Sequence, residues 1–142
     1  MPAKVVDASV LAAWCFREPR AQEALGLIQG SDLYAPSLLA YELASIAKRK
    51  AAAYPQSLAI LGEAPHTALA LPIRWCDVDH MAVLHLAMGN DLTTYDASYL
   101  YLARELGARL VTFDGRLARA AAKTGSRDTI PPKYGSDSSR FS

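Results

Sequence analysis

Short strand-like runs alternate with longer segments of helical periodicity along the chain. Residues 4–6 end a strand, and residues 8–16 are apolar all round, which is typical of a helix packed against a sheet. Between residues 20 and 29 the apolar positions recur at i, i+3, i+4 and i+7, which predicts an amphipathic helix. Residues 32–35 are predicted to form a second short strand.

Periodicity, capping residues and Gly or Pro breaks assign the rest of the chain. Residues 62–72 contain two prolines and are predicted to be irregular, and an extended piece is expected within residues 69–75. Helices are predicted at 38–53, 55–63, 80–88, 95–106 and 116–123, and strands at 108–113 and 128–130.

This alternation of strands and helices predicts an α/β sandwich with a mainly parallel sheet. A chain of 142 residues fits one domain and is long enough to bury a core. In open sheets of this kind, ligands bind where strands end and helices begin. Functional side chains are therefore expected along that edge.

Composition is that of an ordinary soluble protein, with 51% apolar and 20% charged residues. The formal net charge of +1 excludes a polycation, so any nucleic-acid binding requires a local basic patch. Cys15 and Cys76 show no metal-binding spacing and are expected to be reduced. Because the chain has no signal segment and no apolar run of membrane-spanning length, we expect a cytoplasmic location.

Four acidic residues occupy positions that are unusual for solvated surface charges. Asp7 and Asp114 directly follow strand-like runs, and parallel strands would place both on the same edge of the sheet. Asp96 lies at a predicted helix start, where the helix dipole favours a carboxylate. Glu42 interrupts an otherwise apolar helix stripe, and burying an unpaired charge is costly.

Each acid also has an ordinary structural explanation. An Asp at a strand–helix junction is usually an N-cap. Ser9 could cap the first helix in place of Asp7, and Glu42 could be half-exposed and paired with Arg49 or Lys50. Taken one at a time, the acids leave these alternatives open.

The four acids together favour a metal site. Carboxylates that converge on one cleft repel each other and raise their own pKa values unless a cation is present. The three histidines do not converge by spacing, and the cysteines offer no metal motif. Ligation by oxygen alone suits Mg²⁺ or Mn²⁺ rather than Zn²⁺.

Four segments of the chain each contain one of the acids, and together they extend over most of the sequence. They are residues 5–10, 36–43, 92–103 and 110–117. None of the segments is specific alone, but the ordered set is. In this order and with these gaps, the segments resemble those of PIN-domain proteins, and within that family of the VapC-type toxin ribonucleases.

The resemblance implies a three-layer α/β/α PIN-like domain with a small, mainly parallel central sheet over residues 1–132. The polar, Ser-rich composition of residues 133–142 predicts a flexible tail. The resemblance implies catalytic and metal-binding roles for Asp7, Glu42, Asp96 and Asp114. It also implies supporting or substrate-contacting roles for Ser9, Thr112 and Arg116.

The activity implied by the resemblance is that of an endoribonuclease which uses Mg²⁺ or Mn²⁺ to hydrolyse RNA phosphodiester bonds. Such a protein is the toxin of a toxin–antitoxin pair, so a cognate antitoxin and a homodimer are expected partners, with no membrane association. Some family members carry a further acid shortly after the fourth position, where this chain has Gly115 and Arg116. The resemblance therefore does not extend to a complete second metal site.

Other residues are candidates for binding. Tyr95 and Tyr99 share one helix face and are expected to pack. Basic residues that could hold RNA are Arg17, Arg74, Arg104, Arg116 and Arg119. Apolar residues of the third and fourth helices that could dock an antitoxin or lie in the core are Leu38, Leu39, Tyr41, Leu58 and Leu61.

Two alternatives to the toxin remain within the family, and two from other families fit the sequence less well. A non-catalytic PIN module would act only as a binding partner, and a PIN nuclease could act in RNA processing. A phosphate-transferring hydrolase with Asp7 as its nucleophile would require a second acid where Ser9 stands. A receiver-like domain would require a lysine after a late strand, and Thr112-Phe113-Asp114 offers none.

Overall fold

The computed structural model describes residues 1–125. Its strands are β1 (Ala3–Val6), β2 (Asp32–Pro36), β3 (Arg74–Cys76) and β4 (Arg109–Val111). They form one sheet in the order β3-β2-β1-β4, and each strand is parallel to its neighbours. The carboxyl ends of all four strands therefore meet at one edge.

Helices connect these strands and cover the sheet. Their bounds are α1 (Ala8–Cys15), α2 (Ala21–Ile28), α3 (Leu38–Ala53), α4 (Leu58–Leu69), α5 (His80–Asn90), α6 (Thr94–Leu106) and α7 (Gly115–Gly125), with a 3₁₀ turn at Pro55–Ser57 between α3 and α4. Helix α1 packs against α2, α3 and α4, whereas α6 packs against α5 and α7 and against three of the strands. The predicted three-layer α/β/α arrangement is thereby confirmed.

Strand β1 lies inside the sheet, between β2 and β4. Val5 and Val6 are completely inaccessible to solvent, as expected for a central parallel strand covered on both faces. Val6 pairs with Val111 of β4, and the next backbone N–H, that of Asp7, donates to the Val111 carbonyl at 3.3 Å. The first site residue thus leaves a rigid strand.

The predicted end of α4 was wrong. Residues 62–72 were expected to be irregular, but the helix continues through Pro65 to Leu69. A proline inside a helix removes one hydrogen bond, which is unfavourable by itself. Ala68 of the same helix is completely buried, and α4 packs against α1 and α3. The burial of this face offsets the lost hydrogen bond.

Two predictions cannot be compared with the structure. The strand at 128–130 and the polar tail at 133–142 lie outside the described residues, so the domain boundary at residue 132 stays a prediction. Within residues 1–125, none of the helices combines the length and the apolar character needed to cross a membrane.

Candidate active site

Asp7 is buried, with 5% of its surface exposed, and is held by three hydrogen bonds. Its Oδ1 accepts from the Ser9 hydroxyl at 2.7 Å and from the Val10 backbone N–H at 3.3 Å. Its Oδ2 accepts from the Thr112 hydroxyl at 2.5 Å. Asp7 is therefore itself the N-cap of α1, and the alternative in which Ser9 caps this helix is wrong.

Ser9 and Thr112 join the ends of β1 and β4. The Ser9 hydroxyl accepts from the Phe113 N–H at 2.8 Å while it donates to Asp7. The Thr112 hydroxyl accepts from the Asp114 N–H at 3.0 Å while it donates to the other oxygen of Asp7. Both hydroxyls therefore position the Asp7 carboxylate and the segment that leads to Asp114.

Glu42 lies half-buried on α3, where its carboxylate meets a tyrosine rather than a cation. The Tyr99 hydroxyl donates to Glu42 Oε1 at 2.5 Å. Lys50 instead pairs with Glu18 at 2.8 Å, so the proposed partnership between Glu42 and Lys50 is wrong. An acid on the apolar side of α3 is stabilised by a neutral donor from α6.

Tyr99 is the functional residue that sequence reasoning missed. It was assigned only a packing role, together with Tyr95. Tyr99 is indeed 99% inaccessible, but its hydroxyl contacts Glu42, and Tyr95 is 62% exposed rather than packed. Because a buried tyrosine normally finds a hydrogen-bond partner, a Tyr one turn after Asp96 was the available signal.

Asp96 and Asp114 differ in what their carboxylates do. The N-cap of α6 is Thr93, whose hydroxyl accepts from the Asp96 N–H at 3.0 Å, so the capping explanation is wrong for Asp96. Asp114 does act as a cap, since its Oδ1 accepts from the Leu117 N–H at 3.0 Å at the start of α7. Its side chain is exposed.

The four acids, hereafter the acid cluster, interact through their charges. Burial raises the pKa of Asp7, and the charge of Asp96 adds to this rise, against hydrogen bonds that lower it. Burial also raises the pKa of Glu42, with further contributions from Asp7 and Asp96. Burial and then the charge of Asp114 raise the pKa of Asp96. The repulsion thus extends through all four residues.

The arrangement can be tested for its fit to a divalent cation. Within residues 1–125, no three His, Cys, Asp or Glu side chains are grouped closely enough to ligate one ion as they stand. The donor chemistry nevertheless fits, because the cluster consists of carboxylates that hold each other's pKa values up, and a cation relieves such repulsion. Hard oxygen donors suit Mg²⁺ or Mn²⁺.

Three basic side chains differ in where they lie relative to the acid cluster. The positive charge of Arg116 opposes the rise in the pKa of Asp96, which burial and Asp114 cause. Arg20, which sequence reasoning did not single out, lies over the ring of Phe113 at 3.7 Å and pairs with Glu23 at 2.8 Å. Arg74, a predicted RNA contact, begins β3 and donates to Tyr34.

The chain was compared with known proteins. The sequence model of the PIN domain matches residues 4–123. The chain is 32% identical over 119 residues to Ribonuclease VapC3 of Pyrobaculum aerophilum, covering 80% of this chain and 91% of that protein. Its fold is similar to the crystal structure of PAE2754 from the same organism, with a TM-score of 0.68, 24% identity and 90% of each chain covered. The chain therefore belongs to the PIN-domain family, and within it the resemblance is to VapC-type proteins.

Proposed function

We propose that this protein is a Mg²⁺- or Mn²⁺-dependent endoribonuclease and the toxin of a toxin–antitoxin pair. The observation that carries the proposal is the acid cluster, in which buried and half-buried carboxylates raise one another's pKa values at the edge where the strands end. The relative named Ribonuclease VapC3 supports the choice of RNA as substrate.

Asp7, Glu42, Asp96 and Asp114 would hold the cation. When bound, the ion supplies positive charge that neutralises phosphate oxygens and makes water more acidic. The reaction is hydrolysis: a water oxygen bonds to phosphorus, the bond from phosphorus to the 3′ oxygen breaks, and that oxygen takes a proton. The expected products carry a 3′-hydroxyl and a 5′-phosphate.

The protein's own groups orient the carboxylates for this reaction. Asp7 keeps one orientation because Ser9 and Thr112 donate to its two oxygens. Tyr99 fixes one oxygen of Glu42, which leaves the other for a ligand. Arg116 provides an exposed positive charge beside Asp96 for a substrate phosphate.

We further propose a cytoplasmic homodimer that binds a cognate antitoxin. Helix α5 presents an exposed stripe of Met81, Leu84 and Met88 at i, i+3 and i+7, which supports a protein interface. Exposed Tyr41 and Leu58 on α3 and α4 offer a further surface for the antitoxin. Of the two roles left open for Leu39, docking and a place in the core, the second is confirmed, because Leu39 is completely buried.

Two alternatives remain within the family: a module that binds without cutting, and a nuclease of RNA processing. The buried, hydrogen-bonded state of Asp7 supports catalysis over a binding module, since a buried carboxylate is expensive to retain without a use. If expression of this protein arrests growth and a co-expressed antitoxin relieves the arrest, the protein is a toxin rather than an enzyme of RNA processing.

The experiment is RNA cleavage by the purified chain with Mg²⁺, with Mn²⁺ and with EDTA, comparing wild type with Glu42→Gln. We expect cutting with either metal, none in EDTA, and a loss of about a hundredfold or more in the variant. Glu105→Gln, an exposed helical Glu outside the acid cluster, is the matched control. Equal cutting by Glu42→Gln and wild type would contradict the proposal.

A further inference from the structure

A cavity of about 600 Å³ lies at the carboxyl ends of β2 and β3, on the same edge of the sheet as the acid cluster. Three helices begin at its lining, where Leu38 starts α3, His80 starts α5 and Thr94 starts α6. Its volume lies within the range of roughly 300–1,000 Å³ that is typical of small-ligand sites. The function proposed above assigns no role to this cavity.

The cavity is one helical turn from two of the acids. Leu38 in its lining lies four residues before Glu42, so both are on one face of α3, about 6 Å apart along the helix axis. Tyr95, also in the lining, directly precedes Asp96 on α6. A nucleotide next to a bond held at the acid cluster is therefore within reach of this cavity.

A second groove of about 650 Å³ lies on the other side of Glu42 along α3. It is lined by Ser9, by Ile46 one turn after Glu42, and by three basic side chains and one acid, Arg20, Arg49, Lys50 and Glu18, of which Lys50 and Glu18 pair with each other. Basic side chains of this kind suit the phosphates of a nucleic-acid backbone, which position the strand without reading sequence. The two sides of the acid cluster thus differ in charge.

The described lining of the first cavity has no Lys or Arg, and it contains one carboxylate, Asp77. Burial and then the charge of Asp77 raise the pKa of the neighbouring Cys76 thiol, which also lines the cavity. A carboxylate repels phosphates but accepts hydrogen bonds from the exocyclic amine of a base, as Asp and Glu do from cytosine. The negative charge of Asp77 therefore favours a nucleobase over a backbone phosphate in this cavity.

Two further side chains suit a base. Tyr95 is 62% exposed, and an exposed aromatic ring is a stacking surface for bases. Ser37 occupies the N-cap position of α3 without making a capping hydrogen bond, so its hydroxyl is available to a ligand. Stacking would supply affinity, while the carboxylate and the hydroxyl would supply selectivity.

We propose that this cavity, the base pocket, binds one nucleobase of the RNA beside the phosphodiester bond that is cut, and that Asp77 makes it prefer bases with an exocyclic amine. The base pocket would therefore set the sequence preference of the enzyme at that position. This inference rests on the function proposed above, because it takes RNA as the substrate.

The test measures binding separately from cutting. Labelled RNA pentanucleotides that differ in one base at each position are titrated with the full chain in Ca²⁺, and fluorescence anisotropy gives Kd. At one position, wild type should bind A, C or G about tenfold more tightly than U. Asp77→Asn should reduce this ratio to below about twofold. Tyr95→Leu should weaken binding of every base there.

The control is Asp91→Asn, which removes the same charge at the opposite end of α5 and should keep the wild-type ratio. Loss of the preference in Asp77→Asn alone supports the base pocket. An unchanged preference in Asp77→Asn, or no preference in wild type at any position, overturns it. If an arginine-containing peptide occupies the cavity while Asp77→Asn retains the preference, the cavity is a protein contact and the proposal fails.

Parallel cutting assays with Mg²⁺ distinguish the two proposals. A base preference that depends on Asp77 in a protein that cuts no RNA supports the base pocket and rejects the nuclease. Metal-dependent cutting with a base preference that Asp77→Asn leaves unchanged supports the nuclease and rejects the base pocket.

Discussion

Asp7 and Asp114 follow neighbouring parallel strands, but the protein holds them in opposite ways. Asp7 is buried, and both of its carboxylate oxygens accept hydrogen bonds from hydroxyl groups. Asp114 is exposed and makes one capping hydrogen bond at the start of α7. Asp7, the fixed half of this pair, is held in place by packing and by hydrogen bonds. Asp114, the adjustable half, can change its orientation.

This difference indicates how a cation would be bound. The Asp7 carboxylate is already ordered, so binding to it costs little conformational entropy. Asp114 must exchange solvent contacts for the cation and reorient its capping carboxylate, because no three acids in residues 1–125 are in a ligating arrangement as they stand. We therefore expect substitutions in the fixed half to be more damaging than substitutions in the adjustable half.

Asp7→Asn should have the largest effect, a loss of about a hundredfold or more in cleavage rate. The amide keeps the shape of the side chain but removes the charge on which the fixed half depends. Cleavage kinetics over a range of Mn²⁺ concentrations measure this loss, and we expect no recovery at high Mn²⁺.

The control is Asp91→Asn, which makes the same change outside the acid cluster and should cut as wild type does. If Asp7→Asn kept wild-type activity, or recovered it fully with added Mn²⁺, the fixed half would not be essential and the comparison with Asp114 would lose its basis.

Thr112→Val should have the next largest effect, a loss of about ten- to a hundredfold in activity. The substitution keeps the side-chain shape but removes the donor to Asp7 and the acceptor for the Asp114 N–H. Thr67→Val, on the exposed side of α4, is the matched control. A Thr112→Val enzyme with unchanged kcat and unchanged Mn²⁺ dependence would show that this hydroxyl has no positioning role.

Tyr99→Phe should reduce activity by about tenfold and weaken Mn²⁺ binding, with little change in melting temperature. It removes the donor to Glu42 without leaving a large cavity. Tyr101→Phe is the control, since Tyr101 is also buried but donates to Glu105, outside the acid cluster. If Tyr99→Phe and Tyr101→Phe bound Mn²⁺ with equal affinity, Tyr99 would have a packing role only.

Asp114→Asn should have a smaller effect than any of these, and a higher Mn²⁺ concentration should restore much of the activity. An exposed carboxylate interacts in a high dielectric, where each charge contributes less. The measurement is the Mn²⁺ concentration for half-maximal cutting. A variant as inactive as Asp7→Asn at every Mn²⁺ concentration would remove the distinction between the two halves.

The smallest expected effect is on the pH dependence of the free energy of unfolding, measured in EDTA. Burial and repulsion raise the pKa of Asp7, so the folded state binds more protons than the unfolded state above the unfolded pKa. The contribution of Asp7 to the free energy of unfolding should therefore be largest at low pH and be lost as pH rises through the folded pKa of Asp7. Chemical unfolding from pH 4 to 7 measures this slope, which Asp7→Asn should flatten. If Asp7→Asn showed the same dependence of stability on pH as wild type, the raised pKa of Asp7 would be contradicted.

Much of the fold followed from local pattern. The alternation of short apolar runs and helices predicted the parallel sheet, and the strand ends at Asp7 and Asp114 predicted the functional edge. The error at α4 came from treating Pro65 as a helix end, whereas the burial of Ala68 outweighs the local preference. Tertiary packing of this kind is not visible in a short sequence window.

The partners within the site could not be predicted in the same way. Tyr99 and Glu42 are 57 residues apart, and Thr112 and Asp7 are 105 apart. Which side chains meet depends on how α6 packs against its neighbours and on the pairing of β1 with β4. Local spacing could indicate that Glu42 required a partner, but it suggested Lys50, which pairs with Glu18.

The most direct test of the central claim is a calorimetric titration of Mn²⁺ into the wild-type chain, Asp7→Asn and Asp91→Asn. If the acid cluster binds a divalent cation, wild type and Asp91→Asn should bind with the same Kd, and Asp7→Asn should bind at least about a hundredfold more weakly. Mn²⁺ binding by Asp7→Asn with the wild-type Kd would contradict the account.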